Sequence, residues 1–232
     1  MDSKTDFLIS IIFPERCPFC GAVIDYKSIF CDECGKEILW TSKHSVCLRC
    51  GKIDCICKRE PFLDRMYVPL FYEGKVRDAV INFKFNGRKA YSRQLAKLIS
   101  AFIVKENPEY DFDVIIPVPM TKKDVRKRGY NQSQLLAKFI GENLGIKTDF
   151  SSLVKVKQTQ KQHETQNKEI RAKNLKGAFE VCGDLKGKKV LICDDVITTG
   201  STIKEVSAVL KKAGVSSLSA AVLSTVSGVE NS

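Results

Sequence analysis

Residues 190–202 read Val190-Leu191-Ile192-Cys193-Asp194-Asp195-Val196-Ile197-Thr198-Thr199-Gly200-Ser201-Thr202. The four apolar residues Val190 to Cys193 have the composition of a buried parallel strand. Two acids follow, and then a loop of small hydroxylated residues, Thr198 to Thr202. Directly after it, Val206, Val209 and Leu210 recur at helical spacing, which predicts an amphipathic helix. Backbone N–H groups at such a turn and helix start hold a phosphate. The two carboxylates stand where sugar hydroxyls or a metal reach them. The pattern points to a phosphorylated sugar.

On either side the chain alternates between short β-branched runs and amphipathic stretches. Met66–Tyr72 and Asp113–Val118 predict strands, and so do Leu153–Val156 and Leu218–Val226. Val76, Val80, Ile81 and Phe83 predict a short helix after Gly74. Leu95, Leu98, Ile99, Phe102 and Ile103 predict another between Arg88 and Lys105, and Leu135 to Leu144 a third, ended by Gly145. Alternating strands and helices predict an α/β fold with a doubly wound parallel sheet. Ligands of such sheets lie beyond the carboxyl ends of the strands. A second loop is expected there. Pro117-Val118-Pro119 leads into Met120, Thr121, Lys122 and Lys123, whose hydroxyl, N–H groups and positive charge suit a diphosphate as well as a plain basic turn.

The 232 residues suffice for one ordinary domain and a small module, and 44% hydrophobic content provides a packed core. A net charge of +11 favours anionic partners or makes a generally basic surface. Residues 7–13 are apolar but too short to span a bilayer and lack the features of a signal peptide, so an amphipathic helix and a cytoplasmic location are expected. Eight of the ten cysteines fall between Cys17 and Cys57. The pairs are Cys17/Cys20, Cys31/Cys34, Cys47/Cys50 and Cys55/Cys57, and the first three are each followed by glycine. Two residues between thiolates aim both sulfurs at one tetrahedral ion, which is zinc-ribbon spacing. Sequential pairing places one zinc on Cys17, Cys20, Cys31 and Cys34, and a second on Cys47, Cys50, Cys55 and Cys57. Crossed pairing, His44 as a substitute ligand, disulfides and an iron–sulfur cluster also fit the spacing. Four protein ligands leave no open position, so the zinc is expected to be structural. The composition changes near Pro61, giving a head of residues 1–60 and a second domain of 61–232.

The run 190–202 resembles the phosphoribosyl-pyrophosphate (PRPP) signature of type I phosphoribosyltransferases. The resemblance implies that Asp194 and Asp195 bind the ribose hydroxyls. It implies that Val196, Ile197, Thr198, Thr199, Gly200, Ser201 and Thr202 form the 5′-phosphate loop, and that Met120–Lys123 hold the pyrophosphate. Magnesium would arrive with PRPP. Thr198 stands where enzymes acting on 6-oxopurines carry an acid, which disfavours purine salvage.

Arg128-Gly129-Tyr130-Asn131-Gln132 after the proline-rich loop, the cysteine head, and Arg171-Ala172-Lys173-Asn174 before Phe179 are similar to the ComF family of bacterial competence proteins. So is Val80-Ile81-Asn82-Phe83-Lys84-Phe85. That resemblance implies a zinc-binding head on a phosphoribosyltransferase-like domain, with a basic flap over Lys155–Lys176. It implies a role in DNA uptake, with single-stranded DNA and a helicase of the competence machinery as partners. Arg126, Arg128 and Arg171, with Lys122, Lys123 and Lys127, would neutralise strand phosphates. The other reading is an active PRPP-dependent transferase with an unidentified nitrogenous acceptor.

Overall fold

The computed structural model describes residues 14–42, 44–49, 51–53, 55, 61–85, 88–157 and 175–226. The predicted N-terminal helix and most of the flap, including Arg171, lie outside these residues. So do Cys50 and Cys57 of the second cysteine set.

A parallel sheet organises the large domain. Its strands are β1 (Arg65–Tyr67), β2 (Leu70–Phe71), β3 (Val114–Pro117), β6 (Lys189–Ile197) and β7 (Ser217–Thr225). The order across the sheet is β1, β7, β6, β3, with β2 also pairing β7. β6 and β7 are central, and their buried side chains alternate between two apolar layers as the two-residue period of a strand requires. Leu191 and Cys193 join Leu95, Ile99, Leu136 and Ile140 on one face. Val190 and Ile192 join Ile203, Val206 and Leu210 on the other. The first layer is covered by α2 (Gly74–Phe85), α3 (Ser92–Glu106) and α5 (Gln132–Leu144); the second is covered by α6 (Ser201–Lys212). The expected doubly wound fold is therefore present.

Three expectations need correction. β6 does not stop at Cys193. It runs through both acids to Ile197, because the ladder to β7 continues as Asp194 opposite Val222 and Val196 opposite Ser224. Met66–Tyr72 is two strands, because Val68 and Pro69 turn their carbonyls to Thr41 in the head: Thr41 Oγ1 donates to Val68 O and Thr41 N to Pro69 O. Leu153–Val156 yields β4 (Leu153–Lys155), which lies outside the parallel sheet. It pairs antiparallel with β5 (Phe179–Val181), a strand that the sequence reading did not predict.

The head is built on two like knuckles. Cys17 N donates to Ala22 O and Gly21 N to Cys17 O; Cys47 N donates to Lys52 O and Gly51 N to Cys47 O. Both glycines are left-handed, at φ 80° and 72°, a conformation costly for other residues. Between the knuckles, Cys31 caps the short helix α1 (Asp32–Glu37). There Gly35 is not a turn residue; its missing Cβ leaves room for the Phe30 ring, which such a Cβ would approach to 2.8 Å. The head shares a core with the large domain: Cys17, Phe19, Ile24, Cys34 and Ile38 lie in the same buried cluster as Tyr67, Leu70 and Val76. An antiparallel bridge from Trp40 to Leu70 covers the β2 side of the sheet edge, which would otherwise be open to another chain. Among the described residues, no helix is long and apolar enough to cross a membrane.

Candidate functional site: a cradle between the β3 and β6 loops

β3 and β6 are neighbours, paired in register from Val114 opposite Val190 to Pro117 opposite Cys193. The chain leaves β3 toward α5 on one face and leaves β6 toward α6 on the other. Their carboxyl ends thus open a crevice at a topological switch point. Both candidate loops start there.

The loop after β6 closes tightly. Gly200 takes a left-handed φ of 70° as the cap of α6, and its carbonyl accepts from Lys204 N. The hydroxyls of Thr199 and Ser201 lie 2.9 Å apart. The turn delivers the N-terminus of a twelve-residue helix with no acid in its first turn, so its field favours an anion.

The loop after β3 is tied to β6 at its base. Val118 N donates to Cys193 O, and Val118 O accepts from Asn131 Nδ2 at 3.0 Å. Thr121 caps α4 (Lys122–Arg128), exchanging hydrogen bonds with Asp124 N and Oδ2. Lys122 and Lys123, expected on the loop, form the exposed first turn of this helix, and Arg126 is exposed on its next turn.

The acids are held by residues that the sequence reading did not place in the site. Ser133 Oγ donates to Asp194 Oδ1 at 2.9 Å, and Asp195 N donates to the same oxygen. Asp195 is 8% exposed and pairs with Lys84 Nζ at 2.9 Å. Lys84 sits at the end of α2, which is anchored to the arginine–tyrosine motif: Tyr130 Oη donates to Phe83 O, and Gln132 Nε2 donates to Lys84 O. Arg128 in turn donates to Gln132 Oε1 at 2.7 Å and to Met120 Sδ. The motif from Arg128 to Ser133 is therefore the brace that connects Met120 of the loop after β3, Lys84 and Asp194.

The electrostatics follow from this crowding. Burial, and then the charge of Asp195, push the Asp194 carboxyl up to about 7, against the Asp195 N–H, Lys84 and the Ser133 hydroxyl. Beneath them, burial and both acids drive the Cys193 thiol upward, keeping it protonated. A cavity of about 310 Å³ lies elsewhere, between the head and the sheet edge, lined by residues such as His44, Arg65 and Phe102. It contains none of the cradle residues.

In the head, the sulfurs of Cys17, Cys20, Cys31 and Cys34 lie within 4.8 Å of one another, with Cys20 and Cys31 at 3.6 Å. Sulfurs around a tetrahedral zinc at about 2.3 Å are about 3.8 Å apart, so these four fit the ion. Burial opposes ionisation of Cys17, yet hydrogen bonds from the backbone of Cys31, Cys20 and Phe19 bring it down to about 7; burial and the neighbouring thiols raise Cys34. Lys75 of α2 donates to Cys34 Sγ at 3.9 Å and pairs with Glu37 at 2.8 Å. One rigid helix thus touches the zinc set with Lys75 and the acid pair with Lys84.

Residues 92–228 match the phosphoribosyl transferase domain family, and residues 8–66 match the double zinc ribbon domain family. Competence protein F of Haemophilus influenzae is 32% identical over 192 residues, covering 80% of each chain. The chain belongs to the ComF family. DNA utilization protein YhgH of Salmonella typhimurium is 29% identical over 85% of each chain. Competence protein ComFC of Bacillus subtilis is 26% identical, covering 75% of this chain and 68% of that one. As a ComF-family chain, the protein combines a structural zinc head with a phosphoribosyltransferase fold.

The second knuckle buttresses the end of β6, where the Thr198–Thr202 loop begins. A Cβ on Gly51 would lie 2.3 Å from Ile197 Cδ1, and Thr225 Oγ1 donates to Gly51 O at 2.6 Å. Gly51→Ala is expected to cost about 1–3 kcal/mol in urea unfolding and to weaken PRPP binding, because Ile197 leads directly into Thr198. Gly187, also left-handed but with open space around its Cα, is the control. Gly187→Ala should show the backbone cost with PRPP affinity intact. Equal effects of the two variants on PRPP would disprove the buttress.

Proposed function

We propose that this protein binds PRPP in the cradle between the β3 and β6 loops and serves in the handling of incoming single-stranded DNA during DNA uptake. The observation that carries the reading is the convergence of the acid pair, the hydroxyl-rich helix start and the diphosphate loop at one switch point. Asp194 and Asp195 would accept from the ribose hydroxyls, the Val196–Thr202 segment would hold the 5′-phosphate, and Met120–Lys123 the diphosphate. Lys84 pairs with Asp195 and offsets its charge. Each carboxylate has one oxygen engaged, Asp194 Oδ1 by Ser133 and the Asp195 N–H and Asp195 Oδ1 by Lys84; magnesium would come with the diphosphate, with the acid pair as the protein's oxygen donors beside it. The cationic α4, which has no buried residue, and the similarity to the DNA utilization protein YhgH support the DNA part.

The intact acid pair also favours a second reading, displacement of pyrophosphate by a nitrogen nucleophile at the ribose. The tests separate them. Calorimetry should show PRPP binding with magnesium, and single-stranded DNA binding that falls steeply with salt, by roughly one phosphate equivalent per lysine or arginine engaged. Salt-independent or absent DNA binding would remove the uptake reading. Pyrophosphate release with an added acceptor would establish the transferase.

A further inference from the structure

The last two residues of α2 have opposite surroundings. Lys84 turns into the acid pair. Phe85, its neighbour, is 63% exposed and leads the large apolar side chains among the described residues in exposure. Its ring is nonetheless backed: the Arg128 guanidinium lies 5.1 Å from the ring centroid. Arg128 is itself fixed by Gln132 and by Met120 of the diphosphate loop. Tyr130, the aromatic of the brace, is unavailable, being buried with its hydroxyl committed to Phe83 O. The exposed cations Lys122, Lys123, Arg126 and Lys127 precede Arg128 on α4.

A solvent-facing ring beside a guanidinium, next to a sugar-phosphate cradle and at the end of a cationic helix, fits a base whose strand phosphates follow the cations. We infer that Phe85, backed by Arg128, is a stacking platform for a base of single-stranded DNA, with the strand's phosphates running along α4. An apolar protein partner fits less well, since the ring is backed by a guanidinium and lies at the end of a cationic helix. The inference rests on the DNA reading above and specifies where that strand lies.

The test titrates a fluorescent oligothymidylate into the full-length protein and its Phe85→Ala and Phe85→Trp variants. Phe85→Ala should weaken DNA binding about 10-fold, within the range for one stacked base. It should leave the salt slope unchanged, since the ring carries no charge, and PRPP affinity unchanged, since Gln132 and Met120 hold Arg128 without the ring. Phe85→Trp should retain binding, and its emission above the Trp40 background should be quenched by the oligonucleotide. Wild-type DNA affinity in Phe85→Ala overturns the platform alone. So does a parallel loss of PRPP affinity, which would make Phe85 a support of the cradle. A wild-type protein that binds no oligonucleotide overturns the DNA reading and the platform together.

Discussion

Replacing Asp194 and Asp195 together by asparagine is expected to lower PRPP affinity by at least about 100-fold while leaving the fold intact. Two charge-assisted hydrogen bonds are lost at about 1.5–3 kcal/mol each. The fold should tolerate the change because asparagine is isosteric and the pair is itself a like-charge burden. Lys84 loses its partner but is still 21% exposed at its side chain and can turn to solvent. Asp194→Asn alone should have a second signature. In the wild type, the raised Asp194 value means that the folded, unliganded protein holds a proton that the unfolded chain has released between about pH 4 and 7. That group's contribution to stability is full at the low end of this window and falls as pH rises. The ionised form is the stronger acceptor for ribose hydroxyls. PRPP affinity should therefore climb with pH up to about 7 and then level, with proton release on binding in the acidic part. Calorimetry in two buffers of different ionisation enthalpy measures that proton. A double variant with wild-type PRPP affinity would place the sugar elsewhere.

How much of this site the sequence discloses depends on how local each part is. The loop after β6 is legible because it is contiguous: Thr198 to Thr202 lie at one turn, and the helix they start has Val206 and Leu210 buried on one face. The cysteine knuckles are legible for the same reason. The extent of β6 is not, because two acids read as a loop while the backbone ladder to β7 is indifferent to side chains. Ser133 and Lys84 are the clearest omissions. Ser133 lies 61 residues from Asp194, and no periodicity links them; only the packing of α5 and α2 against the sheet brings them together. The signal within reach was the Asn131 cap, whose side chain accepts from Ser133 N and so starts α5 at the crevice. Arg128 is a case that residue type alone does not decide: its charge suggests a phosphate contact, while in the structure one nitrogen holds Gln132 and another is buried without a partner. The split of β1 and β2 was in reach too, since Pro69 has no N–H for a ladder.

Withdrawing zinc from the first cysteine set is expected to unfold the head and to weaken the large domain with it. Metal binding of about 10–16 kcal/mol exceeds what so small an apolar cluster supplies. Without the ion, four clustered thiols cannot ionise together; the raised Cys34 thiol is the sign of that conflict. The consequence reaches beyond the head, because its boundary is not a free surface. Cys17, Phe19, Ile24 and Ile38 share a core with Leu70, Val76 and Val80. Phe71 N donates to Leu39 O, and Thr41 N to Pro69 O, so the head supplies main-chain partners to the sheet edge. Losing them exposes an edge strand and an apolar face at once, the combination that favours aggregation. Lys75 also loses Cys34, which frees the near end of α2 while Lys84 still grips Asp195 at the far end. A Cys34→Ser variant, or the wild type treated with a strong chelator, should release at least one zinc per chain. It should melt more than about 10 °C lower, given about 2–4 °C per kcal/mol for a domain of this size, and its PRPP affinity should fall as α2 loosens. A metal-free chain with unchanged melting and unchanged PRPP binding would mean that the head is an appendage and that α2 carries nothing between the two sites.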